Sequence, residues 1–157
     1  MKSARMSIVR GGLAFFAIVS AFLGGYILIS PKGFYSWSWV NMGMAYNPHL
    51  LLDYGAMTLA AAVPLAAAAA APSPVLVRSV SGSYALWATA HFLIHLQYRS
   101  HFASHASTGE ANLLVGVLGF GAVGSIALFV LSLPRDPRHV SGVRDGTGQP
   151  LRTDDGV

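Results

Sequence analysis

The sequence predicts an all-α fold, a polytopic membrane protein built as a four-helix bundle. Three observations carry that expectation. Of the 157 residues, 54% are hydrophobic and 10% charged, and the mean hydropathy is +0.53, whereas a soluble domain carries about 25% charged residues. Four apolar stretches recur along the chain, each near the roughly 20 residues that cross a hydrocarbon core about 30 Å thick. The basic residues fall almost entirely on one side of those stretches.

Composition also removes whole classes of chemistry. There is no cysteine, which excludes disulfides, thiolate metal sites and a cysteine nucleophile. The formal charge is +4, but the cations are dispersed rather than patched, so nucleic acid is not an expected partner. No zinc-protease, P-loop or nucleophile-elbow pattern occurs.

In chain order, Lys2, Arg5 and Arg10 precede an apolar run over 11–30. No small-x-small cleavage site follows before Pro31, so an uncleaved first span is expected rather than a signal peptide. Gly24 and Gly25 either let a neighbouring helix approach closely or are simply tolerated by a membrane helix. Residues 31–48 shift to Pro, Gly, Ser, Asn and aromatics, including Phe34, Tyr35, Trp37, Trp39 and Tyr46. Aromatic rings favour the headgroup level, so this loop is expected to lie on the membrane surface, with ligand stacking as the other role open to Trp37 and Trp39.

The second span covers 50–71 and contains Pro64, a residue that membrane helices accept when neighbours satisfy the freed carbonyl. Pro72-Ser73-Pro74 stops it, and the third span covers 79–97. A polar loop over 97–110 leads to the fourth span, 111–133. Glu110 is expected to supply the N-terminal negative charge that the helix dipole favours there. The tail, 134–157, is polar and glycine-rich and is expected to be disordered.

Four spans put both termini on one side. Lys2, Arg5, Arg10, Arg78, Arg135, Arg138, Arg144 and Arg152 then share that side, against Lys32 and Arg99 on the other. Cytoplasmic loops carry the positive excess, so a cell-membrane protein with both termini, 1–10 and 134–157, in the cytoplasm is expected. On this reading His49, Asp53, His91, His95, His101, His105 and Glu110 all belong to the outer face, and of the histidines only His139 lies inside.

His91 and His95 are four residues apart and share one helical face, and His49 and Asp53 repeat that spacing at the start of the second span. Ionisable groups in spans usually face the bundle interior and mark function. Two such pairs on adjacent antiparallel helices would converge on a single site, so His49, Asp53, His91 and His95 are the candidate ligand-binding and metal-ligating residues. Imidazole and carboxylate suit zinc, copper or iron, with Asp53 as a partner for a histidine N–H. The plainer role is interhelical hydrogen bonding, with Asp53 capping its helix. His101 and His105 are expected to be solvated.

Three segments carry a resemblance: Pro31-x-x-Phe34-Tyr35, Asn47-x-His49-Leu50-Leu51-x-Asp53-x-Gly55, and His91-x-x-x-His95-Leu96. Over 11–133 the chain resembles small four-helix membrane proteins of the DoxX-like and domain-of-unknown-function type found in actinobacteria. The resemblance implies the fold and the outer polar cluster, and it implies no reaction. Pro48 stands where that group usually has Glu, and Tyr98 stands near the place of a further histidine.

The leading expectation is therefore an outer-face His/Asp cluster that binds a metal ion, haem or a quinone-like ligand. The alternative is a non-enzymatic accessory or assembly subunit. Its partner would be another membrane protein or a second copy of the chain, and it would pack through Gly116, Gly121 and Ser125. A transporter is the weaker third reading, because the spans offer little to line a pathway.

Overall fold

The computed structural model describes residues 2–134, of which 87% are helical and none lies in a strand. The tail over 135–157, with Arg135, Arg138, His139, Arg144 and Arg152, lies outside the described residues.

Among the described residues seven helices follow one another: α1 (Lys2–Ile29), α2 (Pro31–Tyr35), α3 (Ser38–Asn41), α4 (Pro48–Ala70), α5 (Pro74–Gln97), α6 (Arg99–His105) and α7 (Thr108–Ser132). Local chemistry sets their starts. Asn47, Ser73 and Ser107 cap α4, α5 and α7, each side chain accepting from a backbone N–H three residues on, at 3.1, 3.2 and 3.1 Å. Proline follows at the first position of α4 and α5, where its missing N–H costs nothing. Asn47, not Asp53, is thus the cap of α4. At α7 the Glu110 carboxylate returns a bond to the Ser107 N–H at 2.9 Å, completing a capping box. The same carboxylate accepts from the Ser38 hydroxyl at 2.8 Å, tying α3 to α7.

Two differences from the expected spans have local causes. The region over 97–110, expected as a loop, folds into α6 because Phe102 is buried against Ala111 and Leu114 of α7. The loop over 31–48 holds α2 and α3 around an aromatic cluster in which Trp37 and Trp39 stack at 5.4 Å and 4°.

α1 packs along α4 and α5 along α7, and narrower seams between α1 and α7 and between α4 and α5 join the pairs. All four neighbour pairs run antiparallel. Gly24 with Leu59 and Arg10 with Ala69 fix α1 and α4, and Gly82 with Phe129 and Gly119 with Phe92 fix α5 and α7. Gly12 with Leu128 and Gly124 with Phe16 fix α1 and α7, and the direction of α4 against α5 follows from these. Arg5, Arg10 and Arg78 therefore gather at one end and serve the helix C-termini there. Arg5 donates to the carbonyls of Leu131 and Leu133, Arg10 to that of Ala69 at 2.8 Å, and Arg78 to that of Ser132 at 3.4 Å. These are the carbonyls a helix end leaves without partners, and the negative pole of its dipole favours a cation. His49, Asp53, His91, His95, α6 and Glu110 lie at or toward the opposite end.

Among the described residues three helices are long and apolar enough to cross a membrane: α1, from Ala4, α4 and α7. The expected fourth span, α5, has the length at 24 residues but not the apolarity, since Arg78, three serines, Tyr84, His91 and His95 dilute it. The outward faces are nonetheless apolar. Ile18, Phe22, Val63, Leu86, Phe120 and Val123 are 69–77% exposed, more exposed aliphatic and aromatic surface than a soluble monomer carries.

The glycines of α1 divide. A Cβ on Gly24 would collide with the Leu59 backbone and stand 2.8 Å from the Gly55 carbonyl oxygen, so Gly24 sits where α1 and α4 touch backbone to backbone. Gly25 has open space.

Candidate functional site

The four candidate site residues form two pairs, not one cluster. In α4, His49 Nδ1 lies 3.0 Å from Asp53 Oδ2, and both side chains are largely exposed, at 85% and 60%. In α5, the rings of His91 and His95 meet edge to face with centroids 4.6 Å apart. No hydrogen bond or ring contact joins the pairs among the described residues. Nor do three His, Asp or Glu side chains there gather in reach of one metal ion. The reason is rotational. One residue advances a helix by about 100°, and it is Tyr54, one position past Asp53, that faces α5 and stacks on His91 at 6.1 Å.

His91 belongs instead to an aromatic ladder up α5. Tyr84 and Trp87 stand 5.5 Å apart, Trp87 and His91 stack at 5.2 Å and 8°, and His95 reaches Phe102 of α6 at 5.1 Å. The Nδ1 atom of His95 is buried and has no hydrogen-bond partner among the described residues. A neutral imidazole carries one donor and one lone pair, so this pair holds hydrogen-bonding capacity that the chain leaves unused.

Beside the ladder lies a pocket of about 230 Å³, set at the middle of α1, α4 and α5. Its floor is buried Ser20, Thr58, Leu65 and Val80, and its rim is exposed Met57, Pro64, Ser83 and Trp87. Two hydroxyls cross it without closing it. Ser20 Oγ and Tyr84 OH stand 3.5 Å apart, at the outer limit for a hydrogen bond between hydroxyls. Thr58 satisfies itself on the Tyr54 carbonyl at 2.7 Å. The pocket opens where α4 and α5 meet along their narrow seam.

Of the residues that line this pocket, sequence reasoning missed Ser20, Tyr54, Thr58 and Ser83. A signal was present in Tyr54 and Thr58, four apart in an otherwise aliphatic and alanine-rich helix. His101 and His105 are exposed, as expected, with ring centroids 4.4 Å apart on α6. Of the residues expected to pack partners, Gly116 and Gly121 face open space, whereas Ser125 is buried and bonds the Ala122 carbonyl at 2.9 Å. No protein-family model, curated protein or solved structure matches this chain.

Proposed function

We propose that the chain is a multi-pass protein of the cell membrane, a four-helix bundle of the kind its sequence resembles, with both termini cytoplasmic. The arginine-bearing end supports the orientation through the positive-inside bias. α5 serves as the fourth span because Ser81 and Arg78 turn toward α7, bonding within the protein, while Leu86, Leu93 and Ile94 face outward. Reporter fusions at the two ends test this. Both should read as cytoplasmic, and an external C-terminus would mean three spans.

The function we assign is binding of a small ring-bearing, quinone-like ligand. The observation that carries it is the mid-span pocket against the Trp87–His91–His95 ladder. A cavity of about 150 Å³ lined by apolar side chains already holds benzene, so about 230 Å³ accommodates one substituted ring. The hydroxyls of Ser20 and Tyr84 offer donors to a ring oxygen, and Trp87 offers a stacking face. Haem and metal readings draw less support. Two imidazoles in edge contact leave no plane between them for a porphyrin, and His49 and Asp53 stand apart.

The test uses Trp87 as the reporter. In a Trp37→Phe/Trp39→Phe background it is the remaining one of three tryptophans. Duroquinone, a tailless quinone, should quench it saturably. Tyr84→Phe should weaken binding by roughly 2- to 12-fold, the net worth of one hydrogen bond. Linear, non-saturating quenching overturns the reading.

The second reading, an accessory or assembly subunit, is favoured by one observation: the open glycines Gly116 and Gly121 on α7, which would let a partner helix approach closely. Recovery of this chain alone from native membranes would count against it.

A further inference from the structure

Resting on the ring-binding reading, we infer that the ligand is a lipid-soluble ring compound with an apolar tail, seated sideways from the bilayer through the cleft between α4 and α5. Four features of the pocket meet in this. It lies at the middle of the spans rather than at a water-facing end, since Ser20, Thr58 and Tyr84 are all mid-helix. Its buried floor holds the Ser20 and Thr58 hydroxyls and its exposed rim is Met57, Pro64, Ser83 and Trp87, so the open side faces outward between two helices. Met57 is 69% exposed and the surrounding outer surface is apolar, which is where hydrocarbon chains run.

The fourth feature is size. About 230 Å³ falls below the roughly 300–1,000 Å³ of pockets that enclose a whole drug-sized ligand. A ring fits inside and a chain does not. A tailed ligand would place its oxygen-bearing ring against Ser20 and Tyr84, stack it on Trp87, and leave its tail in the cleft among lipid.

Pro64 on the rim suits such an opening. It withholds the N–H that the Ala60 carbonyl would otherwise receive, and α4 there has a narrower seam with α5 than with α1. A ligand arriving from water would instead need a polar mouth, whereas the one hydroxyl on this rim, that of Ser83, is turned back to the Val80 carbonyl at 3.2 Å.

The experiment uses the full chain in proteoliposomes, in the same Trp87-only background. Duroquinone and decylubiquinone are compared, with affinities expressed as mole fraction in the bilayer so that partitioning of the decyl chain cancels. Decylubiquinone should saturate at a mole fraction within about threefold of duroquinone's, because its tail stays among lipid whether free or bound. Phosphatidylcholine brominated at mid-chain should quench empty-pocket Trp87 more strongly than lipid brominated near the headgroup. Binding of decylubiquinone tenfold or more weaker than duroquinone, or stronger quenching by the shallow bromines, overturns the sideways seating and leaves ring binding standing. Saturable quenching by neither quinone overturns ring binding and this inference together.

Discussion

Replacing Gly24 by alanine tests the crossing that sets how α4 is rotated. A Cβ at Gly24 would lie 2.8 Å from both the Gly55 carbonyl oxygen and Leu59 Cα. Ordinary contact begins near 3.4 Å and the Leu59 backbone nitrogen lies closer still, so one helix must retreat by more than about 0.6 Å. The obstructing atoms are backbone, and no rotamer change relieves them. Overpacking of this kind costs about 1–3 kcal/mol. Gly25→Ala is the internal control, because nothing lies within 4 Å of its Cβ. Both variants gain the same helix propensity, about 0.5–1 kcal/mol, and that gain cancels between them. Gly24→Ala is therefore expected to be about 1–3 kcal/mol less stable than Gly25→Ala. Titrating SDS into mixed micelles and following helicity by circular dichroism measures the difference. Equal midpoints would refute a backbone contact at Gly24 and, with it, the placement of Tyr54 toward α5.

Two further outcomes follow from the same geometry. A His49→Ala/Asp53→Ala variant is expected to keep both its SDS midpoint and its duroquinone affinity, because that pair is largely exposed and lies outside the pocket, and exposed pairs of this kind contribute little. A loss of quinone binding would return His49 and Asp53 to the site. Ser107→Ala removes the hydroxyl that caps α7 and is expected to cost about 1 kcal/mol. Hydrogen exchange should show it as faster exchange of the Glu110 and Ala111 amides, and unchanged protection there would refute the capping box.

Much of the architecture was legible before any coordinates, and the physical reason is the solvent. A hydrocarbon layer demands about 20 apolar residues with every backbone group paired within the helix, so the runs ending at Ile29, Ala70 and Ser132 announced themselves. The arginines Arg5, Arg10 and Arg78 marked one end, and it is the end where they serve open carbonyls. The i,i+4 spacing of His91 and His95 was enough to place their rings together, because that contact depends only on helical pitch. The short helix α6 was less legible, since it exists only because Phe102 finds Ala111 and Leu114.

What tertiary structure alone decided is the rotation of each helix about its axis. In water an amphipathic stripe points to the core, but a membrane helix is apolar on nearly every face and carries no such pointer. The turn of α4 rests on Gly24 meeting the backbone of Gly55 and Leu59. That contact is between residues thirty or so apart in sequence, and it directs Tyr54 and Thr58 to the pocket while leaving His49 and Asp53 outside. A difference of one residue, about 100° of helix, separates the pair that the spacing singled out from the residues that line the pocket.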